Sequence, residues 1–188
     1  GINLNTIGWR AFFNAGNLTE ITLPESLISI DYYAFAGCKN LVTVNFAEDN
    51  KLKGIYEGAF FGCQRLENIT IPDSIVEISE YAFYGCMSLD HLPVSETSNL
   101  KGIFDYAFAY TGITDLKIPD GVIDIGNYAF CNCTSLASVT CLSVSPPSLS
   151  YNHEACNNNA NGRKIYVPSE SVDAYKEDYY WKEYEDAI

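Results

Sequence analysis

Cysteine and histidine side chains are the residues of this chain whose types could support metal binding, redox chemistry or nucleophilic catalysis. The 188 residues include seven cysteines and two histidines. Cys131, Cys133, His153 and Cys156 lie close enough in sequence to suggest a zinc site. Their C-x-C and H-x-x-C spacings do not match a usual structural zinc pattern, so we expect no bound metal and no cofactor.

Four of the cysteines recur at one position of a repeating pattern, namely Cys38, Cys63, Cys86 and Cys133. Ala15 and Thr111 fill that position in two other copies. A position that accepts alanine and threonine requires a small buried side chain, which favours a packing ladder over a disulfide framework. Cys141 falls in an apolar strand position and is expected in the core. Cys131 and Cys156 could be free thiols, or a pair in an oxidising compartment.

Recognised catalytic motifs are absent from the sequence. There is no H-E-x-x-H, G-x-S-x-G, Walker or G-x-G-x-x-G pattern. The carboxylates are scattered, and His91 is expected on the solvent face of a strand. The sequence therefore predicts that the protein is not an enzyme.

The elements that position these residues repeat along the chain. Ala-Phe pairs recur at intervals of 22–25 residues, at Ala11-Phe12, Ala34-Phe35, Ala59-Phe60, Ala82-Phe83, Ala107-Phe108 and Ala129-Phe130. A fixed period in this range is typical of a solenoid, in which each repeat buries its apolar face against its neighbours.

Each repeat also carries an L-x-x-L-x-L frame, as in Leu66, Ile69 and Ile71, which is the strand-forming half of a leucine-rich repeat. The sequence predicts an α/β solenoid, a right-handed leucine-rich-repeat superhelix of about six repeats with a parallel sheet on one face. Short second strands and a single helical turn at each Ala-Phe block complete each repeat. A C-terminal cap closes the superhelix.

The segment from Ile118 to Cys133 resembles the repeat of the BspA-like leucine-rich-repeat family, approximately L-x-x-I-x-I-P-x-x-V-x-x-I-G-x-x-A-F-x-x-C. The tail from Ile165 to Tyr184 resembles the C-terminal cap of that family. The resemblance implies a secreted or cell-surface bacterial protein, in some members an adhesin. It also implies adhesion to a host protein or to another cell. The exposed strand face and the absence of catalytic motifs predict a protein–protein interaction module without catalysis.

We expect the solenoid to occupy residues 1–141 and the capping segment, a last strand at 164–168 plus a helix, to occupy residues 142–188 of one structural unit. The repeat frame stops near Ser143, and Ser169 is expected to cap a helix whose Val172, Tyr175 and Tyr179 share one face. Because Gly1 falls inside a repeat, we also expect an N-terminal cap and any signal or anchor segment to precede it in the full-length protein.

Composition restricts the partners. Eleven basic and 24 acidic residues give a formal net charge of −13. A nucleic acid requires a basic patch, and an anionic lipid surface requires one too, so neither is expected as a partner. No apolar run approaches the roughly 20 residues of a membrane-spanning helix. We expect a monomer that binds an extracellular protein or glycan.

Two surfaces are candidates for binding. The first is the exposed face of the strands, with Glu20, Thr22, Thr43, Asn45, Asn68, Thr70, His91, Asp115, Lys117, Ser138 and Thr140 pointing outward. The second is a tyrosine edge formed by the residues before Ala-Phe, namely Tyr33, Tyr81, Tyr106 and Tyr128. The strand face suits a protein partner, and the tyrosine edge suits a sugar ring or simple packing. A structural spacer that displays another domain is the alternative to both.

Overall fold

A computed structural model of the chain describes residues 4–150 and 154–188. These residues form a parallel-strand solenoid of about seven turns, as the repeat predicted. Most turns contain a strand of the L-x-x-L-x-L frame, called a long strand here, together with a second short strand and a turn block around Ala-Phe. The long strands are β2 Glu20–Leu23, β4 Thr43–Phe46, β6 Asn68–Ile69, β9 Asp115–Ile118, β11 Ser138–Cys141 and β13 Lys164–Tyr166. The short strands are β1 Thr6–Ile7, β3 Ser29–Ile30, β5 Gly54–Ile55, β7 Glu77–Ile78, β8 Gly102–Ile103, β10 Asp124–Ile125 and β12 Ser148–Leu149.

The long strands form two separate sheets, in the orders β2-β4-β6 and β9-β11-β13. The strand expected between them, around His91, is not formed, which corrects the placement of His91 on a strand. Pro93 explains the interruption because it has no N–H to donate to a ladder. Its carbonyl still accepts a 2.7 Å hydrogen bond from the amide of Ile71.

The short strands are also divided, into β1-β3-β5 and β12-β10-β8-β7. The break falls between β5 and β7. The Ala-Phe blocks, in contrast, are bonded from turn to turn along the described solenoid. The amides of Phe35, Phe60 and Phe83 each donate a 2.8 Å hydrogen bond to the alanine carbonyl of the following block. The hydrogen bonds between turn blocks are therefore continuous where both sets of strands are interrupted.

These blocks are turns, which differs from the helical turn that the sequence predicted. Local bonds such as the amide of Ala36 to the carbonyl of Tyr33 alternate with bonds to the next turn of the solenoid. The residue before each Ala-Phe pair adopts a left-handed conformation, with φ near 55° at Tyr33 and 56° at Tyr81. A left-handed residue in each block prevents a continuous helical hydrogen-bond pattern.

Stacked phenylalanine rings fill the centre of the solenoid. Consecutive rings from Phe12 to Phe130 lie 5.0–5.6 Å apart, with interplanar angles of 1–11°. All except Phe12 are fully buried, and inward leucine and isoleucine side chains of the strands surround them. The Phe column therefore holds the turn blocks against both sets of strands.

The strand ladders continue past the expected boundary at residue 141, which corrects the interpretation that the repeat frame stops near Ser143. β12 pairs in parallel with β10, with Leu149 opposite Ile125. The amide of Phe130 donates to the carbonyl of Ala155, so Ala155-Cys156 occupies the position of an Ala-Phe pair. β13 then pairs with β11. The sequence pattern missed this turn because cysteine replaces its phenylalanine.

The C-terminal segment covers the last turn with short helices. A 3₁₀ helix spans Ser169–Ser171, α1 spans Val172–Glu177, and a second 3₁₀ helix spans Trp181–Ala187. Tyr175 and Trp181 are buried, with hydrogen bonds to the carbonyls of Ser143 (2.9 Å) and Pro147 (2.6 Å). Two expectations were wrong. Ser169 makes no capping hydrogen bond, and Tyr179 is 68% exposed because the chain turns out of α1 at Asp178.

Candidate interaction surfaces

The predicted strand-face residues lie at the surface of the molecule in two columns. The exposed ones are Glu20, Thr22, Asn45, Asn68, Thr70, His91, Asp115 and Lys117, and the half-buried ones are Thr43, Ser138 and Thr140. Strand register places Glu20, Thr43 and Asn68 side by side, and likewise Asp115 and Ser138. His91 and Thr70 lie just outside the strands.

Hydrogen bonds between neighbouring strands order this polar face. The Asn45 amide donates to Oε1 of Glu20 at 2.9 Å, and the Ser138 hydroxyl donates to Oδ1 of Asp115 at 2.5 Å. Nζ of Lys117 lies 2.8 Å from Oε1 of Glu96 in an exposed ion pair, which raises the pKa of Lys117. The side chains thus form an organised array of donors and acceptors rather than an apolar patch.

A groove of about 530 Å³ crosses the face where β4 and β6 approach the missing strand. Its rim carries Asn45, Asn68 and Thr70 together with Glu48 and Glu67. His91 closes one end, with Nδ1 2.6 Å from a carboxylate oxygen of Asp90. The interruption of the sheet therefore turns a flat strand face into a polar depression.

Two further residues extend the strand face and were missed by sequence reasoning. β13 pairs with β11 so that Lys164 lies opposite Ser138 and Tyr166 lies opposite Thr140. Tyr166 is 56% exposed, while Ile165 between them is buried. The sequence predicted a last strand here, and its period of two was the signal that could have placed Lys164 and Tyr166 on the exposed face.

The tyrosine edge is a stacked column. Tyr81 and Tyr106 stack with centroids 5.0 Å apart, and Tyr106 and Tyr128 stack at 4.9 Å. Tyr33 is separated from Tyr81 by Gly58, the residue of that column in the intervening turn. All four tyrosines are half-buried.

A second aromatic column runs beside the tyrosine edge and was not singled out from the sequence. Phe61 and Tyr84 stack at 4.8 Å, and Tyr84 also contacts Tyr81 with centroids 5.9 Å apart. At the N-terminal end the Arg10 guanidinium lies 4.7 Å from the ring centroid of Phe13 and 5.9 Å from that of Tyr33. The available signal was the aromatic residue directly after Ala-Phe, as at Phe13, Phe61 and Tyr84.

Carboxylates accept hydrogen bonds from two of the edge tyrosines. The Tyr33 hydroxyl donates to Oε1 of Glu57 at 2.6 Å, and this bond raises the pKa of Tyr33 to about 12. A hydrogen bond to Glu154 likewise raises the pKa of Tyr128 to about 12. These phenols stay protonated at neutral pH, so the edge presents hydrogen-bonding groups and no phenolate nucleophile.

The repeated cysteines Cys38, Cys63, Cys86 and Cys133 lie in one buried column, and all seven cysteines are free thiols. Their Sγ atoms donate to the phenylalanine carbonyl of the preceding block, at 3.2 Å for Cys63 to Phe35 and for Cys86 to Phe60. Burial raises the pKa of Cys86. These thiols donate structural hydrogen bonds, and Cys86, whose pKa is raised, is a poor nucleophile at neutral pH.

His153 of the considered zinc set lies outside the described residues. Within residues 4–150 and 154–188, no group of three or more His, Cys, Asp or Glu side chains is arranged to hold a metal ion. In the same part of the chain, no helix has the length and apolar character needed to cross a bilayer.

Comparisons with known structures give the same fold. A leucine-rich cell-surface protein from Faecalibacterium prausnitzii A2-165 is 26% identical, with a TM-score of 0.58 over 78% of this chain and 45% of its own. The leucine-rich-repeat protein of T. pallidum is 24% identical, with a TM-score of 0.53 over 87% of this chain and 66% of its own. This chain thus spans less than two thirds of either structure, and no curated protein matches it in sequence.

The family model described as the BspA type leucine rich repeat region matches six copies along the chain. The matches cover residues 5–137 and 101–183, which include the Ala-Phe blocks and most of the capping segment. Together with the parallel-strand solenoid, they show that this chain belongs to the BspA-type leucine-rich-repeat family.

Proposed function

We propose that this chain is a non-catalytic extracellular interaction module that binds a protein through the exposed strand face. The observation that supports this proposal is the polar groove of about 530 Å³ on that face, which Asn and Thr side chains line. Strands β4 and β6 fix the positions of Asn45 and Asn68, so a partner does not have to order these side chains on binding.

The chemistry of the groove suits an extended polypeptide segment better than a small molecule. Asn45, Asn68 and Thr70 offer both donors and acceptors, which match the alternating N–H and C=O groups of an extended chain. Glu48 and Glu67 on the rim favour a partner with positive charge at the edges of the contact.

A secreted or cell-surface location is part of the proposal. The family to which the chain belongs and the cell-surface protein of F. prausnitzii support it. Adhesion to another cell or to host protein is the specific role we propose for the strand face.

The tyrosine edge is the second candidate, for a glycan. The half-buried column of stacked Tyr81, Tyr106 and Tyr128 rings supports this alternative. The mutual stacking of Tyr81, Tyr106 and Tyr128 also covers the ring faces on which a sugar would stack, which favours packing at these positions. If neither surface binds a partner, the alternative is that the solenoid is a structural spacer that displays another domain.

The test is a binding screen against extracellular-matrix proteins and a glycan array. An Asn45→Ala/Asn68→Ala double variant reports on the strand face, and a Tyr81→Ala/Tyr106→Ala double variant reports on the tyrosine edge. Circular dichroism and urea titration check that both remain folded. We expect a protein hit that the asparagine variant loses and the tyrosine variant keeps. A glycan hit lost only by the tyrosine variant would replace this proposal with the glycan alternative, and no hit would favour the spacer.

A further inference from the structure

A cleft opens on the side of the solenoid where the short-strand ladder is broken between β5 and β7. It encloses about 220 Å³ and is lined by Tyr32, Tyr56, Glu57, Ser79, Glu80 and Phe104. A smaller depression of about 110 Å³ shares Tyr56 and Ser79 with it. The cleft is separate from the strand-face groove, with which it shares no lining residue.

Aromatic rings border this cleft along the axis of the solenoid. Tyr56, Ser79 and Phe104 are the residues that directly follow β5, β7 and β8, so they belong to three successive turns. Tyr32 stacks on Tyr56 with centroids 5.4 Å apart and an angle of 9°. In the next turn the equivalent position is Ser79, which has no aromatic ring. Two turns at about 4.8 Å each place Phe104 roughly 10 Å beyond Tyr56.

A gap of this size accepts one planar group. A flat group midway between the two rings lies about 5 Å from each, which is the separation at which Tyr81 and Tyr106 stack in this solenoid. Each ring packs over a glycine of its own turn. A Cβ at Gly54 would lie 3.1 Å from the Tyr56 ring, and a Cβ at Gly102 would lie 3.3 Å from the Phe104 ring. The two rings thus lie close against the backbone on either side of the small Ser79 side chain.

The charge of the cleft selects a cation. Glu57 and Glu80 line it, and Glu77 borders the smaller depression opposite a single lysine, Lys53. The whole chain has a formal net charge of −13, which attracts basic partners over a longer range. A guanidinium group combines positive charge with a flat surface that stacks on aromatic rings, whereas an ammonium group is compact and strongly hydrated.

We propose that this cleft binds an arginine side chain of a basic partner protein. The guanidinium inserts over Ser79 between Tyr56 and Phe104, and the carboxylates of Glu57 and Glu80 accept its hydrogen bonds. This site does not depend on the strand face, and it adds a basic protein segment to the ligands expected for this chain.

The test is calorimetric titration of the whole chain with a blocked peptide of alternating glycine and arginine. The matched peptide carries citrulline, which is equally flat but uncharged. We expect at least tenfold weaker binding of the citrulline peptide. Phe104→Ala and Glu80→Gln should each weaken arginine-peptide binding by about two- to fivefold, the range of one exposed cation–π contact or ion pair.

Ser79→Phe is the sharpest variant, because it fills the cleft with a ring where the adjacent turn already carries Phe104. We expect it to remove measurable binding while the urea midpoint stays unchanged or rises. If this variant is destabilised, Phe104→Ala and Glu80→Gln decide the question. Asp173→Asn, in the first turn of α1, removes one negative charge from the C-terminal segment and should leave binding unchanged.

Three results would overturn the proposal. They are equal affinity for the citrulline peptide, full binding by a folded Ser79→Phe variant, and an equal loss with Asp173→Asn and Glu80→Gln. The last would mean diffuse charge attraction. The Asn45→Ala/Asn68→Ala variant should bind the arginine peptide normally, so failure of this site and failure of the strand-face proposal are distinguishable.

Discussion

The ring of Tyr33 lies against the backbone of Gly58, in the space that a side chain at Gly58 would otherwise occupy. Gly58 has the left-handed φ of 61° that its column shares, and it stands where other turns carry Tyr81, Tyr106 and Tyr128. In those turns the tyrosine rings stack on one another. At Gly58 the ring is missing, and the Tyr33 ring fills the gap while its hydroxyl bonds to Glu57.

Gly58→Ala is therefore expected to destabilise the protein more than Gly62→Ala. Both glycines have left-handed φ values, 61° and 67°, but a Cβ at Gly62 meets nothing within 4 Å. Gly62→Ala should lower the free energy of unfolding by about 1 kcal/mol, for the backbone conformation alone. Gly58→Ala should lower it by about 2–4 kcal/mol because the Tyr33 ring must also move. Urea unfolding measures both, and equal losses would show that the ring yields freely.

Sequence reasoning recovered the features that depend on buried periodicity. The Ala-Phe pairs and the inward Leu and Ile positions follow from burial, which the stacked core imposes on every turn. It missed the features set by single backbone groups. Pro93 interrupts the sheet because its backbone has no N–H to donate. Tyr33 and Tyr81 adopt left-handed backbone conformations that a sequence usually reveals only through glycine.

The candidate site shows the same division. The outward positions of the strands were predictable from alternation, but the groove beside His91 and the cleft over Ser79 arise where the two ladders are interrupted. An interruption depends on which carbonyls and amides meet across turns, and one sequence does not specify that. The turn containing Ala155 escaped for a simpler reason, since Cys156 replaces the phenylalanine that marks the repeat.

Truncation of the Phe column should have effects that depend on position. Phe83 is fully buried between Phe60 and Phe108, whereas Phe12 is half-buried at the N-terminal end of the column. Phe83→Ala is expected to lower the free energy of unfolding by about 3–5 kcal/mol, through lost burial and the cavity left behind. Phe12→Ala should lower the free energy of unfolding by less than half of that amount. Similar losses in urea titrations would contradict the view that burial governs the column.

Alkaline pH should destabilise the fold through Cys141. Burial raises the pKa of this thiol from about 9 to about 12. Between these values the unfolded chain releases its proton while the folded chain keeps it, so stability is fully present below pH 9 and falls as pH rises towards 12. The slope from one such group is at most about 1.4 kcal/mol per pH unit. Urea unfolding from pH 7.5 to 11 measures it.

Cys141→Val is the variant that isolates this contribution, because the equivalent strand position in other turns carries Leu, Ile or Phe. The variant should show a shallower decline above pH 9 while stability at pH 7.5 changes little. An unchanged slope would assign the alkaline loss to other groups, such as the buried Tyr175, whose pKa is also raised by burial.

Removal of one hydroxyl group should loosen the C-terminal segment. The Tyr175 hydroxyl donates a 2.9 Å hydrogen bond to the buried carbonyl of Ser143, and the Tyr175 ring packs edge-on against Trp181 with centroids 5.1 Å apart. Tyr175→Phe keeps the ring but leaves that carbonyl without this donor. We expect it to lower the free energy of unfolding by about 1–3 kcal/mol.

Tyr166→Phe is the matched control, since its side chain is 56% exposed and water can replace any bond that the hydroxyl makes. It should change stability by no more than about 0.5 kcal/mol. Trp181 fluorescence, recorded in a Trp9→Phe background, reports the segment directly because Trp181 is 3% exposed and Trp9 is 65% exposed. A red shift of Trp181 emission at lower urea in Tyr175→Phe than in Tyr166→Phe would show that the Ser143 bond holds the segment on the last turn. Coincident transitions in the two variants would contradict this.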